Sequence, residues 1–526
     1  MRGWLTWMCV GAIAALTAVT GRPGTASPVH AETPPHLGYG INVRFQEHID
    51  PLFAPLGFEW VKLWEEYDTI PTIRYPYQVL FLIDCTQRSG NLDDLGEWGS
   101  DVEAIAEAGK GLIEAYEICN EPNRRGWLNK DVSPALPDPS LYVQMLRVAY
   151  ERIKAVDPAA IVVSGGLAPV GRIEGTCNGW SGNDCNAMDE REYARQMFLL
   201  GAGDYFDAFG YHPYGFAYAP ETDPESVSNG FAFRGAEVMH DLLEQHGLSH
   251  KPIWATEFSW LRDPNEDGKI PGWCHRISDY ENNFGWMDVS EVQQANYITR
   301  AFQYADENWP WMGAMFVWNL DWYDYGWLCD PARYFSVLKV DYTGLRYESR
   351  RRPRFIGVLP AEAGPPFPSC ATTSRDLSGS SLPALYTTTL AYDALAAMEK
   401  RPGYFGPRLA VEPTALTLLA DVDEPGVITT TLHPWNAGYR VLTWTASVAP
   451  GMQVTPTLAI TTGLQGRVLT VTVDSTGYTT GTFTGSITVT ATTTDVLDAP
   501  QVVPVTLLVV PEMYRLYLPV TLRFAP

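Results

Sequence analysis

From residue 36 to about 402, short apolar runs alternate with stretches whose apolar residues recur at helical spacing. The runs begin near Gly38-Tyr39-Gly40, Trp60–Leu63, Val79–Ile83 and Ala115–Ile118. They continue at Ile161–Ser164, Phe206–Gly210, Pro252–Thr256 and Ala314–Trp318. Leu141–Ala155, Glu237–His246 and Glu291–Asn308 carry the helical period. Alternation of this kind builds a parallel α/β architecture. Eight units over this length predict a (β/α)8 TIM barrel rather than a doubly wound sheet, and no GxGxxG follows the first strand. A Pro-, Arg- and Ser-rich stretch at about 343–382 reads as an insertion after strand eight, with the last barrel helix at Thr387–Glu399.

The pattern changes after that helix. Residues 407–511 are rich in Thr and Val, and alternate apolar with polar positions, as in Val468–Val473 and Ser486–Thr490. Turn residues separate these runs at short intervals, which predicts an all-β immunoglobulin-like sandwich after the barrel. Residues 512–526 form a tail. At the other end, Arg2, the apolar stretch Trp4–Val19 and the small residues before Glu32 read as a signal peptide over 1–31. The bland alternative is an uncleaved anchor. No later segment is apolar for long enough to span a bilayer.

Candidate chemistry lies at the ends of two predicted strands. Strand four runs out through Cys119-Asn120-Glu121-Pro122-Asn123, and strand seven through Ala255-Thr256-Glu257-Phe258. Pro122 stops strand pairing just after Glu121 and leaves its carboxylate at a strand-to-loop junction. Barrel catalytic groups sit at such C-terminal ends, and glycosidic bonds are cut by two carboxyl groups flanking the anomeric carbon. Asn-Glu-Pro after strand four with Thr-Glu-Phe after strand seven resembles glycoside hydrolase clan A, nearest families five and thirty-nine. Ser164-Gly165-Gly166-Leu167, Gly210-Tyr211-His212-Pro213-Tyr214 and Trp318 follow in matching order. The resemblance covers roughly residues 36–402. It implies a retaining mechanism with Glu121 as acid/base and Glu257 as nucleophile. It also implies that Asn120 binds the 2-hydroxyl of the reacting sugar, that His212 and Tyr214 line the −1 site, and that Trp318 is the platform under it. Burial and a negative partner are expected to raise the pKa of Glu121. One position departs from the clan: Lys62, grouped with the substrate-binding candidates, stands near the end of strand two, where an Arg often bonds the nucleophile.

Other features are read more plainly. Glu117 reads as an interior barrel carboxylate satisfied by hydrogen bonds. Trp64, Trp98, Trp260 and Trp322 are each either subsite aromatics or core. Asp263–Gly268 has oxygen donors at alternate positions but lacks the later bidentate Glu of a calcium loop, so it reads as an acidic turn. No His/Cys cluster has zinc spacing and no Walker loop occurs, so neither metal nor cofactor is expected. The C-terminal unit resembles a BACON-like sandwich through Leu409–Pro413, Leu442–Ala446 and Gly481–Ile487. It either touches glycan through Trp435 and Trp444 or serves as a spacer docked on the barrel; the spacer is favoured, because a core Trp is the usual fate in such sandwiches.

Composition narrows the partners. The chain has 526 residues, too many for one core, and a net charge of −24. That charge disfavours nucleic acid and anionic membranes and suits a neutral β-glycan. Of the eight cysteines, Cys177 with Cys185 and Cys274 with Cys329 are candidate pairs in an exported protein. Cys85 and Cys119 either pair or are simply buried, and Cys370 has no obvious mate. The expectation is a secreted retaining glycoside hydrolase. Its rivals are a transglycosylase on the same scaffold and an inactive glycan-binding protein.

Overall fold

The computed structural model describes residues 37–511 apart from 67, 86–94, 125–136, 172–186, 228, 265–284, 323–330, 341–385 and 463–465. The leader, most of the acidic turn, the insertion and Cys177, Cys185, Cys274, Cys329 and Cys370 lie outside the described residues.

Eight parallel strands form one sheet: β1 (Gly38–Asn42), β2 (Trp60–Trp64), β3 (Gln78–Ile83), β4 (Ala115–Ile118), β5 (Ile161–Ser164), β6 (Phe209–Tyr211), β7 (Ile253–Phe258) and β8 (Met312–Val317). Hydrogen bonding runs β5-β4-β3-β2-β1-β8-β7-β6. Parallel bridges Val163↔Ala208 and Leu167↔Tyr211 bring β5 and β6 together and close the ring. The fold is therefore the expected TIM-like barrel. Strand β6 starts three residues later than the apolar run suggests. Asp207, inside that run, is spent on Val162: its Oδ2 accepts from the Val162 N–H at 2.9 Å, and its own N–H donates to the Val162 carbonyl.

Among the described residues, six helices surround the barrel: α1 (Leu95–Gly109), α2 (Pro139–Val156), α3 (Glu190–Leu199), α4 (Gly235–Gln245), α5 (Glu291–Asn308) and α6 (Leu390–Ala397). Their starts are written in the sequence. Asp138 caps α2 by accepting from the N–H groups of Ser140 and Leu141, with Pro139 in the first turn. Ser290 and Gln293 form a reciprocal capping box on α5. Helix α1 is harder to read, because Gly96 and Gly99 dilute its helical pattern.

Nine further strands make the C-terminal sandwich: β9 (Leu409–Glu412), β10 (Leu416–Asp421), β11 (Val427–Asn436), β12 (Val441–Val448), β13 (Met452–Thr455), β14 (Leu458–Thr462), β15 (Leu469–Asp474), β16 (Gly481–Ala491) and β17 (Gln501–Val510). They divide into sheets β9-β11-β15-β13 and β10-β17-β16-β12-β14. Leu432, Leu469 and Val471 of one sheet meet Leu442, Trp444, Ile487 and Val505 of the other in a shared core. Trp444 is fully buried there and offers no face to a sugar.

The two parts join through the barrel floor. The interior layer at the N-terminal ends of the strands contains Trp60, Trp254, Phe316 and small residues such as Ala115, Ala208 and Ala314. Phe405, in the connection, and Tyr439, between β11 and β12, belong to the same cluster. The Phe405 ring lies 4.9 Å from that of Trp60, and the Trp254 indole N–H donates to the Tyr439 hydroxyl at 2.8 Å. Gly38 makes room for this stopper: a Cβ there would sit 2.5 Å from the Phe405 ring. Burial pushes the Tyr439 phenol well above its ordinary pKa. The sandwich thus supplies core to the barrel.

That contact has a measurable consequence. Phe405→Ala empties part of the floor and should cost about 3–5 kcal/mol, the usual range for a buried ring. Denaturant unfolding of the full chain would report it; an unchanged midpoint would mean the barrel closes without its stopper.

Candidate active site

Three buried carboxylates and three cations meet at the C-terminal ends of β2, β4, β6 and β7. Lys62 and Glu117 are the deepest. Both are fully buried, with Lys62 Nζ 2.7 Å from Glu117 Oε2. Glu117 Oε1 also accepts from the Thr256 hydroxyl at 2.8 Å and the Gly166 N–H at 3.0 Å. Burial raises the pKa of Glu117, but Lys62 first and then His212 overcome it and hold the carboxyl down at about 2. This is the satisfied interior glutamate that the sequence suggests.

Above this pair lie the two strand-end glutamates. Glu121 is 7% exposed and Glu257 3%. His212 sits between them: its Nδ1 is 3.2 Å from Glu121 Oε1 and 3.5 Å from Glu257 Oε2. Its Nε2 lies 3.1 Å from the Thr256 hydroxyl, which passes the bond on to Glu117. Burial lowers the pKa of His212, yet Glu257 and the hydrogen bonds to Glu117 and Glu121 raise it to about 9. Both ring nitrogens therefore donate near neutral pH. Gly166 allows this arrangement, because a Cβ on it would lie 2.1 Å from His212 Nε2. Tyr214 donates its hydroxyl to Glu257 Oε2 at 2.6 Å.

Lys62 reaches the pair from beneath. Its Nζ is 3.7 Å from Glu257 Oε1 and donates to the Thr256 carbonyl at 3.3 Å. It does not reach the cleft, so the sequence reading of Lys62 as a substrate contact is corrected: it positions carboxylates, and Glu117 holds it more closely than Glu257 does. Asn120 is 3% exposed beside Glu121, and its Oδ1 has no partner among the described residues. Asn123, next along, is committed to the fold through the Ala168 and Met188 carbonyls.

The structure reverses one electrostatic expectation. Glu121 should have been the carboxyl with the raised pKa. Burial does push it up, but Arg124, with Nη1 2.5 Å from Glu121 Oε2, and then His212 hold it well below the usual range. Glu257 is the group pushed up, by burial and to a lesser degree by Glu121, against the pull of His212 and Lys62. Arg124 is the site residue that sequence reading missed. Its signal is local: a turn starting at Glu121, with Pro122 in its second place, returns the Arg124 N–H to the Glu121 carbonyl at 2.9 Å.

The backbone here is held in an uncommon form. Cys119 and Glu121 have φ of 65° and 42°, a region that side chains other than glycine seldom occupy. Cys119 is tied to Cys85, at the end of β3, by a disulfide with a Cα–Cα distance of 5.0 Å. Of the two readings left open for these cysteines, pairing is the one observed.

Aromatic side chains divide between core and mouth. Trp98 is buried, with its indole N–H donated to the Met145 carbonyl, and Trp260 is fully buried; neither is a subsite residue. Trp64, Trp318 and Trp322 cluster at the ends of β2 and β8, with Trp318 half-buried and its ring 4.2 Å from that of Trp322. A cleft of about 340 Å³ opens over Glu121, Arg124 and Tyr214, walled by apolar side chains including Phe216 and Phe335. Phe216 stacks on Trp286 at 5.5 Å and packs on Phe231, and Trp286 is 51% exposed. Sequence reading did not pick out this wall. Glu121, His212 and Glu257 each bring one donor atom within 4.8 Å of the others, the spacing a bound cation needs. Lys62, Arg124 and the His212 imidazolium already supply the positive charge there, so the donor set does not call for one.

Glu117→Gln tests the foundation of the cluster. It leaves Lys62 buried without its closest counter-charge, which should cost about 3–5 kcal/mol near neutral pH. A carboxyl depressed in the folded state stabilises fully above its unfolded pKa, near 4.3, and loses that contribution as pH falls towards about 2. Paired thermal scans should therefore show the gap between variant and wild type narrowing on acidification. A gap constant with pH would place the damage in packing instead.

No family model and no curated protein matches the chain. Solved structures similar to it include a glucosidase from Croceicoccus marinus, 14% identical over 57% of this chain and 63% of that one, with a TM-score of 0.36. This chain thus spans less than two thirds of the glucosidase's length. A GH128 endo-β-1,3-glucanase from Amycolatopsis mediterranei, solved with laminaritriose and laminaribiose, is 11% identical over 53% of this chain and 87% of that one, with a TM-score of 0.32. β-Glucuronidase 2 from Bacteroides uniformis is 11% identical over 90% of this chain and 46% of that one, with a TM-score of 0.35. These values mark a distant likeness of fold alone.

Proposed function

We propose that this chain is a retaining β-glycoside hydrolase, with Glu257 as nucleophile and Glu121 as acid/base. One observation carries the reading: two buried carboxylates from β4 and β7 face each other across His212, with donor oxygens within 4.8 Å, at the base of an open cleft. Retaining pairs stand about 5–5.5 Å apart, whereas inverting pairs need about 6.5–9.5 Å to admit a water.

The reaction follows from these positions. Glu257 carboxylate attacks the anomeric carbon while Glu121 gives its proton to the glycosidic oxygen. The carbon–oxygen bond breaks and the leaving alcohol carries that proton away. Glu121 carboxylate then takes a proton from water, whose oxygen attacks the same carbon and expels Glu257. Tyr214 and Lys62 fix the orientation of Glu257, and His212 keeps an imidazolium between the two carboxylates. An apolar cleft wall and the net charge of −24 suit a neutral glycan. Export is part of the reading, supported by the apolar leader and the Cys85–Cys119 disulfide.

The reverse assignment has one observation in its favour, since Arg124 holds Glu121 ionised while Glu257 is pushed up. Azide separates the two. On aryl β-glycosides, Glu257→Ala should lose nearly all turnover and regain it with azide as the α-glycosyl azide. Glu121→Ala should lose about 10²–10⁴-fold on poor leaving groups and give the β-azide on good ones. Exchanged products would reverse the roles; no turnover by wild type on aryl glycosides or soluble β-glycans would end the glycosidase reading. Trp286→Ala should raise KM on oligosaccharides several-fold with kcat nearly unchanged, if the exposed ring stacks on a sugar face. An unchanged KM would leave that ring outside the binding cleft.

A further inference from the structure

Each oxygen of Glu121 is held by a cationic donor. Oε2 lies 2.5 Å from Arg124 Nη1, and Oε1 lies 3.2 Å from His212 Nδ1. A guanidinium does not give up its proton in proteins, so its charge against Oε2 favours the ionised carboxylate and opposes the protonated acid. Protonation of Glu121 for its acid step would be eased if one of the two partners withdrew. His212 cannot easily do so: it is fully buried, with Thr256 on one side and Glu257 on the other. The Arg124 side chain is 48% exposed and stands in the wall of the cleft.

We propose that Arg124 is a positioning residue that latches Glu121 in the free protein, and that a sugar entering the cleft must displace its guanidinium before Glu121 can protonate the leaving oxygen. The proposal rests on the glycosidase reading for its consequence in turnover, but the latch itself is a property of the free chain. It sets an order in which sugar enters first and the proton, drawn from solvent, arrives second.

The surroundings of Glu121 point the same way. Arg124 faces it from its own loop, His212 and Tyr214 from the segment after β6, and Glu257 from β7. Lys62 and Glu117 stand behind His212. The guanidinium is the nearest charge to Glu121 and the one most open to solvent. With it in place, Glu121 is held well below the usual carboxylate range; with it gone, burial would push the carboxyl up against His212 alone.

The test compares wild type, Arg124→Gln and Arg124→Lys on nitrophenyl and phenyl β-glycosides across pH. The basic limb of kcat/KM reports the essential acid of the free enzyme. In Arg124→Gln it should move to higher pH by about one to three pH units, the usual effect of losing an adjacent opposite charge. Arg124→Lys, which keeps the charge, should stay near wild type. A limb that does not move in Arg124→Gln, with turnover retained, overturns the latch. If wild type hydrolyses neither substrate, the glycosidase reading fails separately. An infrared titration of the Glu121 carboxyl, identified by its loss in Glu121→Gln, then decides the latch alone. It should protonate at higher pH in Arg124→Gln than in wild type, and identical titrations overturn it.

Discussion

The buried ion pair between Lys62 and Glu117 is the constraint on which the site depends. Neither group reaches solvent, so each needs the other. Once they are paired, the rest is propagated by hydrogen bonds. Glu117 orders the Thr256 hydroxyl, Thr256 fixes one nitrogen of His212, and His212 presents the other to Glu121 and Glu257. Lys62 has charge left over for Glu257, 3.7 Å away. With Arg124 included, three cations face three carboxylates, which balances the buried charges against one another. Lys62, Glu117, Thr256 and His212 are bonded in series, which is why these groups are expected to act as a unit.

The barrel's other end answers a different requirement. Eight strands leave an interior that side chains must fill. Here Trp60, Trp254 and Phe316 fill it only in part, and Phe405 and Tyr439 complete the layer. Rigidity at the floor matters at the mouth, because β7 carries Trp254 at one end and Glu257 at the other. The sandwich is therefore bonded to the strand that bears the proposed nucleophile. Trp435 of β11 also lies against His250, just before that strand. These contacts favour the docked-spacer reading of the C-terminal unit over one that holds Trp435 and Trp444 out to glycan.

What could be read from the sequence follows from range. The barrel strands are apolar runs of local origin, and their order fixes which ends face the cleft. Glu121, Glu257 and His212 could be found because a charged residue directly after such a run has nowhere to go but the mouth. Trp98 and Trp260 were ambiguous for the opposite reason: an indole at a strand end or on a helix carries no mark of which side it faces. The stopper was out of reach, since nothing in Phe405 or Tyr439 reveals a partner some 150–350 residues earlier. Arg124 belongs to a third kind. It lies three residues from Glu121, close enough to read, but its effect needs the turn geometry and not only the neighbouring letters.

That distinction bears on the electrostatics of the proposed pair. Acid and nucleophile roles are normally assigned by asking which carboxyl the protein keeps protonated. In this chain the free structure ranks the two the wrong way round for the roles that their positions imply. The largest pull on Glu121 comes from one half-exposed side chain, Arg124, with His212 second. Without the Arg124 contribution Glu121 is a buried carboxyl held by His212 alone, while Glu257 retains Lys62, His212 and Tyr214, all of them buried or half-buried. The groups that hold Glu257 are fixed in the barrel; the group that holds Glu121 ionised stands in the cleft wall, where substrate arrives. An apo ranking set by a movable group describes the resting state, and the roles are better assigned from the contacts that persist.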